Sequence, residues 1–280
     1  MDYLIMMDLL SKAIAHRLEL ACSITPLQYR ILLRILADKT LRAKHLAQIL
    51  GVSAPTASVA ISKLADRNLI VRSDSADDMR SIKLEVSTQG RNLVKYADSA
   101  VYDVISNYLS SLTREQIEGT LRGAISAIEL HSLTREEHGK LRLDTALVDT
   151  IFTSKLLTSR ALEEHGIATV DFRALLALRI MGGSSSSTEI SSFLFLNSCD
   201  LTSSFKNLEA MGLVLRKRSA HDSRVRVIEM TDDGCARTAE LLPVVFDALH
   251  ETCRRNGALI NAQISAARDM VVRKRQQDLI

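Results

Sequence analysis

The chain has 280 residues, of which 46% are hydrophobic and 25% charged, and its formal net charge is +3. This composition fits a globular protein with room for two domains, and so mild a charge does not by itself indicate nucleic-acid binding. The four cysteines have neither CxxC nor zinc-like spacing, no run of about 18 uncharged apolar residues occurs, and the apolar N-terminus lacks a basic start. We therefore expect a cytoplasmic protein without a membrane span, a metal or another cofactor.

Apolar spacing predicts four helices in the first 67 residues. Their predicted ranges are 2–22, 26–37, 41–50 and 54–67. Thr25 is the predicted N-cap of the second helix and Ser53 that of the fourth. Because the third and fourth helices are joined by a short turn that contains Gly51, the pattern is that of a helix-turn-helix.

A two-stranded hairpin is predicted directly after the fourth helix. Asn68 is placed to end that helix in the left-handed conformation. Residues 69–72 are predicted to form a strand, the polar and acidic residues 73–80 the hairpin tip, and the alternating residues 81–87 a half-buried strand. Two strands with a charged tip after a recognition-type helix indicate a wing.

The second half of the chain repeats the first. With an offset of 144 residues, segment 46–90 aligns with 190–234 without a gap and has ten identities in 45 positions. The identical pairs are Leu50/Leu194, Leu64/Leu208, Leu69/Leu213, Arg72/Arg216, Ser75/Ser219, Ala76/Ala220, Asp78/Asp222, Arg80/Arg224, Glu85/Glu229 and Gly90/Gly234. Upstream the best offset is 143, which indicates a one-residue difference in a loop near 38–45. So long a period indicates a duplicated domain, with predicted domains 1–138 and 139–280.

The second repeat is predicted to contain the same elements as the first. Its helix-turn-helix spans 188–211, with Asn197 in the capping position of Ser53 and Gly212 in the place of Asn68. The remaining predicted elements are strands 213–218 and 225–231, long helices 88–111, 114–131, 232–256 and 259–275, and a flexible loop over 182–187. The expected fold class is mainly α with small β wings.

Both halves resemble the MarR family of transcription regulators. The residues that carry the resemblance are Leu-Gly-Val-Ser at 50–53, the strand starts at 69–72 and 212–214, the Asp-x-Arg wing sequences at 78–80 and 222–224, and the Ser/Thr-x-x-Gly sequences at 87–90 and 231–234. The resemblance implies two winged helix-turn-helix domains plus a helical pseudo-dimerisation region. Family members are homodimers that bind DNA, so it also implies a single-chain pseudo-dimer that binds a double-stranded DNA operator as a repressor.

The recognition helices and wings supply the predicted DNA-binding residues. In the first repeat these are Ser53, Ala54, Thr56, Ser58, Val59, Lys63, Arg72, Arg80 and Lys83. In the second repeat they are Asn197, Ser198, Thr202, Ser203, Lys206, Arg216, Lys217, Arg218, Arg224 and Arg226. Two wing arginines, Arg80 and Arg224, are placed to enter a minor groove, and Asp78 and Asp222 to structure the wings, with solvated salt bridges as the alternative.

The two recognition helices differ in sequence, and the second repeat is the more basic. The family often has a base-contacting arginine where Val59 and Ser203 stand here. Asp200 either accepts a hydrogen bond from a cytosine amine or stabilises the helix N-terminus, and both interpretations stay open. We therefore predict an operator that is asymmetric or imperfectly palindromic.

The resemblance also implies a small aromatic or anionic effector, bound between the helical interface and the DNA-binding lobe. The candidate effector residues are His16, Arg17, Tyr29, Arg30, Arg160 and Arg173, with interface salt bridges as the alternative. Cys199 is a candidate for redox control, with a small buried residue as the alternative. Because no phosphate-binding loop or nucleophile motif occurs, we do not expect an enzyme, and a winged-helix protein-interaction module is the alternative function.

Overall fold

The structure, a computed structural model, is mostly helical with two small antiparallel sheets, which confirms the predicted fold class. It describes residues 1–38, 41–75, 78–110, 112–118, 143–218, 226–252 and 257–277. The predicted boundary between residues 138 and 139 lies outside these residues and stays a prediction.

The helices and strands follow each other in the same order in both repeats. Those of the first are α1 (Asp2–Cys22), α2 (Pro26–Ala37), α3 (Ala43–Ile49), α4 (Ala54–Asp66), β1 (Ile70–Ser75), β2 (Asp78–Val86) and α5 (Thr88–Ser110). Those of the second are α6 (Leu143–Glu164), α7 (Thr169–Ile180), β3 (Ser184–Ser186), α8 (Ser187–Leu194), α9 (Ser198–Ala210), β4 (Val214–Arg218), β5 (Arg226–Met230), α10 (Asp232–Thr252) and α11 (Gly257–Gln277). Residues 114–118 are also helical; the rest of the helix predicted over 114–131 lies outside the described residues.

The helix boundaries reproduce the offsets seen in the sequence. Helix α7 begins and ends 143 residues after α2, whereas α9 begins and ends 144 residues after α4. The second repeat therefore has one extra residue between α7 and α9, which are the counterparts of α2 and α4, as the alignment predicts.

Two compact units divide the described chain. The first-wing unit consists of Leu10–Thr153 and Thr252–Ala266, and the second-wing unit of Met1–Leu9, Ser154–Glu251 and Ala267–Ile280. Helices α1 and α6 each contribute to both units. Each unit is therefore built from segments of both sequence repeats.

The core of the second-wing unit includes residues from the start of α1. Leu4 and Ile5 are 9% and 0% exposed and pack in one cluster with Phe172 of α7 and with Leu201 and Phe205 of α9. These apolar side chains fix the helix-turn-helix of this unit, because burial of each stabilises the fold by roughly 1.5–3 kcal/mol.

The start of α2 shows why the chain enters a helix at this point. The Thr25 hydroxyl accepts a hydrogen bond from the Gln28 amide at 3.2 Å, and the Gln28 side chain accepts one from the Thr25 amide at 2.9 Å. This reciprocal capping box, followed by Pro26 in the first turn, satisfies amides that would otherwise lack partners. The predicted N-cap is confirmed.

The first wing is longer than predicted. Strands β1 and β2 pair antiparallel from Ile70↔Val86 to Ser75↔Asp78, with a register shift after Asp74. Most of the segment predicted as the hairpin tip is therefore strand. The prediction was wrong because backbone pairing between exposed strands does not require the apolar alternation on which the prediction relied.

The predicted flexible loop over 182–187 was also wrong in part. Ser184–Ser186 forms strand β3, which pairs antiparallel with β5, while β4 pairs with the other edge of β5. Gly182 and Gly183 adopt φ values of 85° and 90°, and the Gly183 carbonyl accepts a hydrogen bond from the Met230 amide at 2.8 Å. The two glycines thus turn the chain so that three serines reach a free strand edge.

Among the described residues, no single helix is long and apolar enough to cross a membrane. Helices α1 and α2, which meet at 77°, pass that test of length and composition as a bent pair.

Candidate DNA-binding interface

The first helix-turn-helix is closed by local hydrogen bonds. Gly51 adopts φ 68°, a left-handed conformation that glycine accepts without strain, and the Val52 amide donates to the Ala47 carbonyl at 3.0 Å. The Ser53 hydroxyl accepts from the Thr56 amide at 3.3 Å and lies 2.7 Å from the Thr56 hydroxyl. Ser53 is therefore the N-cap of α4, as predicted.

Helix α4 has one buried face and one exposed face. The buried residues are Ala57, Ala60, Ile61 and Leu64. The predicted DNA-binding residues on this helix are all exposed, namely Ala54, Thr56, Ser58, Val59 and Lys63. The structure thus brings them together on the face opposite the core.

The second helix-turn-helix reaches the same shape with different residues. Phe195 stands where the first repeat has Gly51 and adopts φ 52°, which is uncommon for a bulky side chain. The Ser191 hydroxyl donates to the Leu196 carbonyl at 2.5 Å and so stabilises this turn. Asn197 holds the N-cap position of α9, as predicted, but its side chain makes no capping hydrogen bond.

Helix α9 also places its predicted DNA-binding residues away from the core. Thr202, Ser203 and Lys206 are exposed, while Ser204 and Phe205 are buried. The side chain of Ser198, the remaining predicted residue on this helix, lies outside the described part of the chain.

A hydroxyl group ties the end of α4 to the base of the first wing. Asn68 adopts φ 55° and ends the helix in the predicted left-handed conformation. The Ser87 hydroxyl donates to the Asn68 carbonyl at 2.6 Å and accepts from the Gly90 amide at 2.9 Å. One side chain therefore connects the recognition helix, the second wing strand and the start of α5.

The second repeat makes the same connection. Gly212 adopts φ 71°, and the Thr231 hydroxyl donates to its carbonyl at 2.8 Å and accepts from the Gly234 amide at 3.0 Å. The Ser/Thr-x-x-Gly sequence thus fixes the position of each wing relative to its recognition helix.

Basic residues at the base of the first wing already have partners within the protein. Arg72 is exposed and donates to the Ser62 hydroxyl of α4 at 2.9 Å. Lys83 lies 2.9 Å from the Glu85 carboxylate, and both side chains are about half exposed. In both cases the charge remains accessible to a phosphate.

The second wing carries three consecutive basic residues on β4. Arg216 lies 3.1 Å from the Glu209 carboxylate, Lys217 lies 2.7 Å from that of Glu229, and Arg218 is exposed. The pairing with Glu209 connects β4 to α9.

The wing tips are described only in part. Asp78 and Arg80 lie on β2 and Arg226 lies on β5, but their side chains are outside the described part of the chain, as are Asp222 and Arg224 altogether.

A buried ion cluster lies beside the first helix-turn-helix. Arg30 of α2 donates through Nε to the Asp149 carboxylate at 2.5 Å and through Nη2 to the Thr153 hydroxyl at 3.2 Å, and Arg34 binds the other carboxylate oxygen of Asp149. Both arginines and Asp149 are about 95% buried. Nearby, the buried Tyr29 hydroxyl donates to Asp98 at 2.7 Å.

The second-wing unit has a corresponding cluster. Asp8 of α1 lies 3.1 Å from Arg173 and accepts a hydrogen bond from Lys155 at 3.0 Å. Arg173 also donates to the Leu194 carbonyl at 3.0 Å, at the end of α8. The sequence analysis missed Asp8 and Asp149, although each is a lone acid in an apolar stretch.

A small cleft of about 30 Å³ lies beside Arg173 within the second-wing unit. Leu4 and Leu249 line it together with Ser154 and Thr158, whose buried hydroxyls have no hydrogen-bond partner among the described residues. The cleft therefore combines an apolar wall with hydroxyls, the Arg173 guanidinium and the Asp8 carboxylate that pairs with it.

The remaining effector candidates are exposed. His16 and Arg17 lie on α1, where Arg17 is 3.9 Å from Asp103, and Arg160 lies on α6.

The cysteines occupy contrasting environments. Cys22 is buried, and burial raises the pKa of its thiol, partly offset by the charge of Arg67. Cys199, in the first turn of α9, and Cys235 are exposed, so the interpretation of Cys199 as a small buried residue was wrong. Within the described residues, no group of three or more His, Cys, Asp or Glu could hold a metal ion.

A helix-turn-helix with an exposed recognition helix and an attached wing occurs twice, and this defines a DNA-binding protein of the winged-helix class. The sequence profile of the MarR family matches residues 23–81, and that of the transcriptional regulators SarA/Rot matches residues 157–241. The chain belongs to the MarR family of transcription regulators and contains two tandem repeats. It is a DNA-binding transcription regulator.

Several solved structures resemble parts of the chain. A MepR-like protein in complex with pseudoligands is 30% identical, with a TM-score of 0.34 over 39% of this chain and 76% of that one. A mutant Staphylococcus aureus MepR bound to an oligodeoxyribonucleotide is 26% identical, with a TM-score of 0.33 over 40% and 81%. Bordetella bronchiseptica BpsR, whose DNA binding is regulated by 6-hydroxynicotinic acid, is 19% identical, with a TM-score of 0.41 over 46% and 92%. No curated protein matches the chain significantly.

Proposed function

We propose that the protein represses transcription by binding one double-stranded DNA operator as a single-chain pseudo-dimer. The observation that supports this proposal is the duplication itself, since each repeat has a helix-turn-helix, an exposed recognition face and a wing fixed by the same hydroxyl contacts. In this proposal the two domains are 1–138 and 139–280, and each contributes one recognition helix and one wing.

The predicted DNA-binding residues have two roles in this proposal. Residues on the exposed faces of α4 and α9 contact base edges in the major groove, and the basic residues of the wings contact phosphates. Arg80 and Arg224 enter the minor groove, while Asp78 and Asp222 structure the wing tips.

The operator is asymmetric or an imperfect palindrome, because the two recognition helices differ in sequence. Ser203 stands where the first repeat has Val59, and Asp200 where it has Thr56. An unbiased selection of DNA sites with the purified protein tests this, and we expect two unequal half-sites. A strictly symmetric preferred site would contradict the asymmetry.

Titration of the selected operator at two or more salt concentrations tests the contacts themselves. Affinity should fall steeply with salt, and Arg218→Ala should reduce the slope of log K against log salt by about 1 because one phosphate contact is lost. Lys95→Ala, an exposed position on α5, is the matched control and should leave the slope unchanged. The mass of the complex should correspond to one chain per operator.

The alternative function is a winged-helix module that binds a protein. The absence of charge in the first two turns of α4 is the observation that favours it. Such a module would show no sequence-dependent retention of DNA in the same selection.

We also propose that a small aromatic or anionic effector binds in the cleft beside Arg173 and weakens operator binding. The unpartnered hydroxyls and the apolar wall support a polar group on an apolar body, and a carboxylate on that body would share Arg173 with Asp8. Benzoate is a suitable probe, and Thr158→Val should reduce its effect on operator affinity. An operator affinity that benzoate leaves unchanged at millimolar concentration would count against this site.

We further propose a cytoplasmic location and no catalytic role. The three cysteines within the described residues are scattered and unpaired, which supports a reducing compartment. The family profiles that match are those of transcription regulators.

A further inference from the structure

The exposed face of α4 offers few polar groups to a base. No charged residue occurs between Ser53 and Ser62, and the first charge on the helix is Lys63. The hydroxyls of Ser53 and Thr56 lie 2.7 Å apart and bond to each other, so each has less capacity left for a base. Besides the exposed Ser58 hydroxyl, what this face presents is apolar surface.

Val59 is the centre of that surface. Its side chain is 57% exposed, whereas Ala57, Ala60 and Ile61 beside it are buried. Because residues three and four apart lie on one helix face, Val59 stands between Thr56 and Lys63 on the side that points away from the core. An isopropyl group therefore occupies the middle of the recognition surface.

We propose that Val59 recognises the C5-methyl group of a thymine in the half-site bound by α4. The proposal rests on the proposed DNA-binding role of this helix. Valine has no hydrogen-bonding group, so it cannot distinguish bases by their donors and acceptors. Thymine is the base that carries a methyl group in the major groove, and contact with this methyl removes apolar surface of both partners from water.

The second recognition helix has no valine at the corresponding position. Ser203 occupies the position of Val59 with an offset of 144 residues and is also exposed. Its hydroxyl can contact any base pair, and the exposed Asp200 one turn earlier is a hydrogen-bond acceptor. Methyl recognition at this position is therefore confined to one half-site of the operator.

Single replacement of thymine by deoxyuridine tests the inference, because it removes the methyl group and preserves base pairing. Each thymine of the selected operator is replaced in turn, and affinity is measured with the full chain. At one position in one half-site the wild type should bind about fourfold more weakly, the value expected for one buried methyl group. Val59→Ser should bind the unmodified operator about fourfold more weakly and should not distinguish thymine from uracil there.

Ser203→Val supplies the reciprocal variant. Both substitutions lie on exposed helix faces, so the thermal unfolding of each variant should match that of the wild type. Ser203→Val should make the binding affinity sensitive to the replacement of thymine by deoxyuridine in the other half-site, at the corresponding position of a probe that has a thymine there.

The outcomes separate this inference from the proposed function. If no single deoxyuridine weakens binding, or if Val59→Ser is as sensitive as the wild type, the thymine contact is wrong although the operator is still bound. If the protein retains no DNA in a sequence-dependent way, the DNA-binding proposal and the inference fail together.

Discussion

Asp149 is a buried acid that pairs with two arginines, and its contribution to the stability of the fold depends on both. Its carboxylate is 5% exposed and accepts from Arg30 and Arg34. Removal of one member of such a cluster leaves buried charges without a counter-charge, which costs more than an exposed pair ever contributes.

Asp149→Ala should therefore lower the free energy of unfolding by about 3–5 kcal/mol, because two arginines would stay buried and unpaired. Asp103→Ala is the matched control, since Asp103 is 56% exposed and lies 3.9 Å from Arg17, and it should cost at most about 0.5 kcal/mol. Urea unfolding of both variants measures the difference. Equal losses would contradict a structural role for the cluster.

Asp171 should give the stability a specific dependence on pH. Burial raises the pKa of this carboxyl in the folded state, while Ser204 and Asn207 partly lower it again. A raised folded-state pKa means that the stability contributed by protonated Asp171 is fully present below its ordinary pKa of about 3.9. This stability is lost as pH rises through the pKa of Asp171 in the folded state. Protonation is thus favoured in the folded protein.

The test is Asp171→Asn, a neutral side chain of the same size. Relative to the wild type, this variant should gain stability as pH rises from about 4 to 7, since it cannot ionise. Urea unfolding at several pH values measures this trend, with the exposed Asp247→Asn as a control. A difference that stays constant with pH would show that Asp171 does not titrate in this range.

Single residues with local functions could be predicted from the sequence, and those with distant partners could not. Thr25, Ser53 and Asn68 act within four residues of their own position, so spacing and residue type sufficed. Asp8 and Asp149 pair with arginines of the other repeat, and nothing in the sequence near an acid specifies a partner more than 100 residues away. The effector candidates Arg30 and Arg173 were identified, but not the acids that hold them.

At the scale of elements, one glycine of each repeat packs so closely against the junction between recognition helix and wing that no side chain fits there. These glycines are Gly90 and Gly234. A Cβ added at Gly90 would lie 2.1 Å from the Leu69 carbonyl oxygen, and one at Gly234 would lie 2.2 Å from that of Leu213. Because the obstructing atoms are backbone, no rotamer change can relieve the overlap.

Gly90→Ala and Gly234→Ala should each destabilise the protein by on the order of 3 kcal/mol, since the helix would have to move away from the strand. The neighbouring Gln89→Ala, at an exposed position in the same helical turn, should change the stability by less than about 0.5 kcal/mol. Chemical denaturation measures all three. A tolerated alanine at either glycine would show that the wing is not held against its helix.

Among the elements, the predicted helices begin within two residues of their observed starts, and β4 and β5 were predicted to within one residue at each end. The ends of β1 and β2 differ from the prediction by up to three residues, and β3 was not predicted. Helix ends carry chemical signals, such as the hydroxyl of Ser53 and the left-handed Gly212. Strand β3 consists of serines and pairs only through its backbone, so its sequence has neither alternation nor apolar content. The tertiary context, a free edge of β5, determines that it is a strand.

At the scale of the whole molecule, the repeats seen in the sequence and the compact units of the structure are different divisions of one chain. Met1–Leu9 belongs to the first repeat in sequence and to the second-wing unit in structure. Duplication is visible in a sequence because it preserves residue spacing, whereas the exchange of a helical segment changes no spacing at all. The exchange makes each unit dependent on both repeats.

This dependence predicts that the second repeat, residues 139–280, does not fold by itself as a stable monomer. It would lack Leu4 and Ile5, which are nine-tenths or more buried in its core, and Asp8, which pairs with the buried Arg173. Loss of two core side chains and one buried charge partner costs on the order of 5 kcal/mol, which is comparable to the whole stability of a typical domain. Circular dichroism, urea unfolding and light scattering should show an unfolded or self-associated fragment, and a peptide of residues 1–22 should restore cooperative unfolding. A monomeric fragment that unfolds at the same urea concentration as the full chain would contradict the structural role of the exchanged segment.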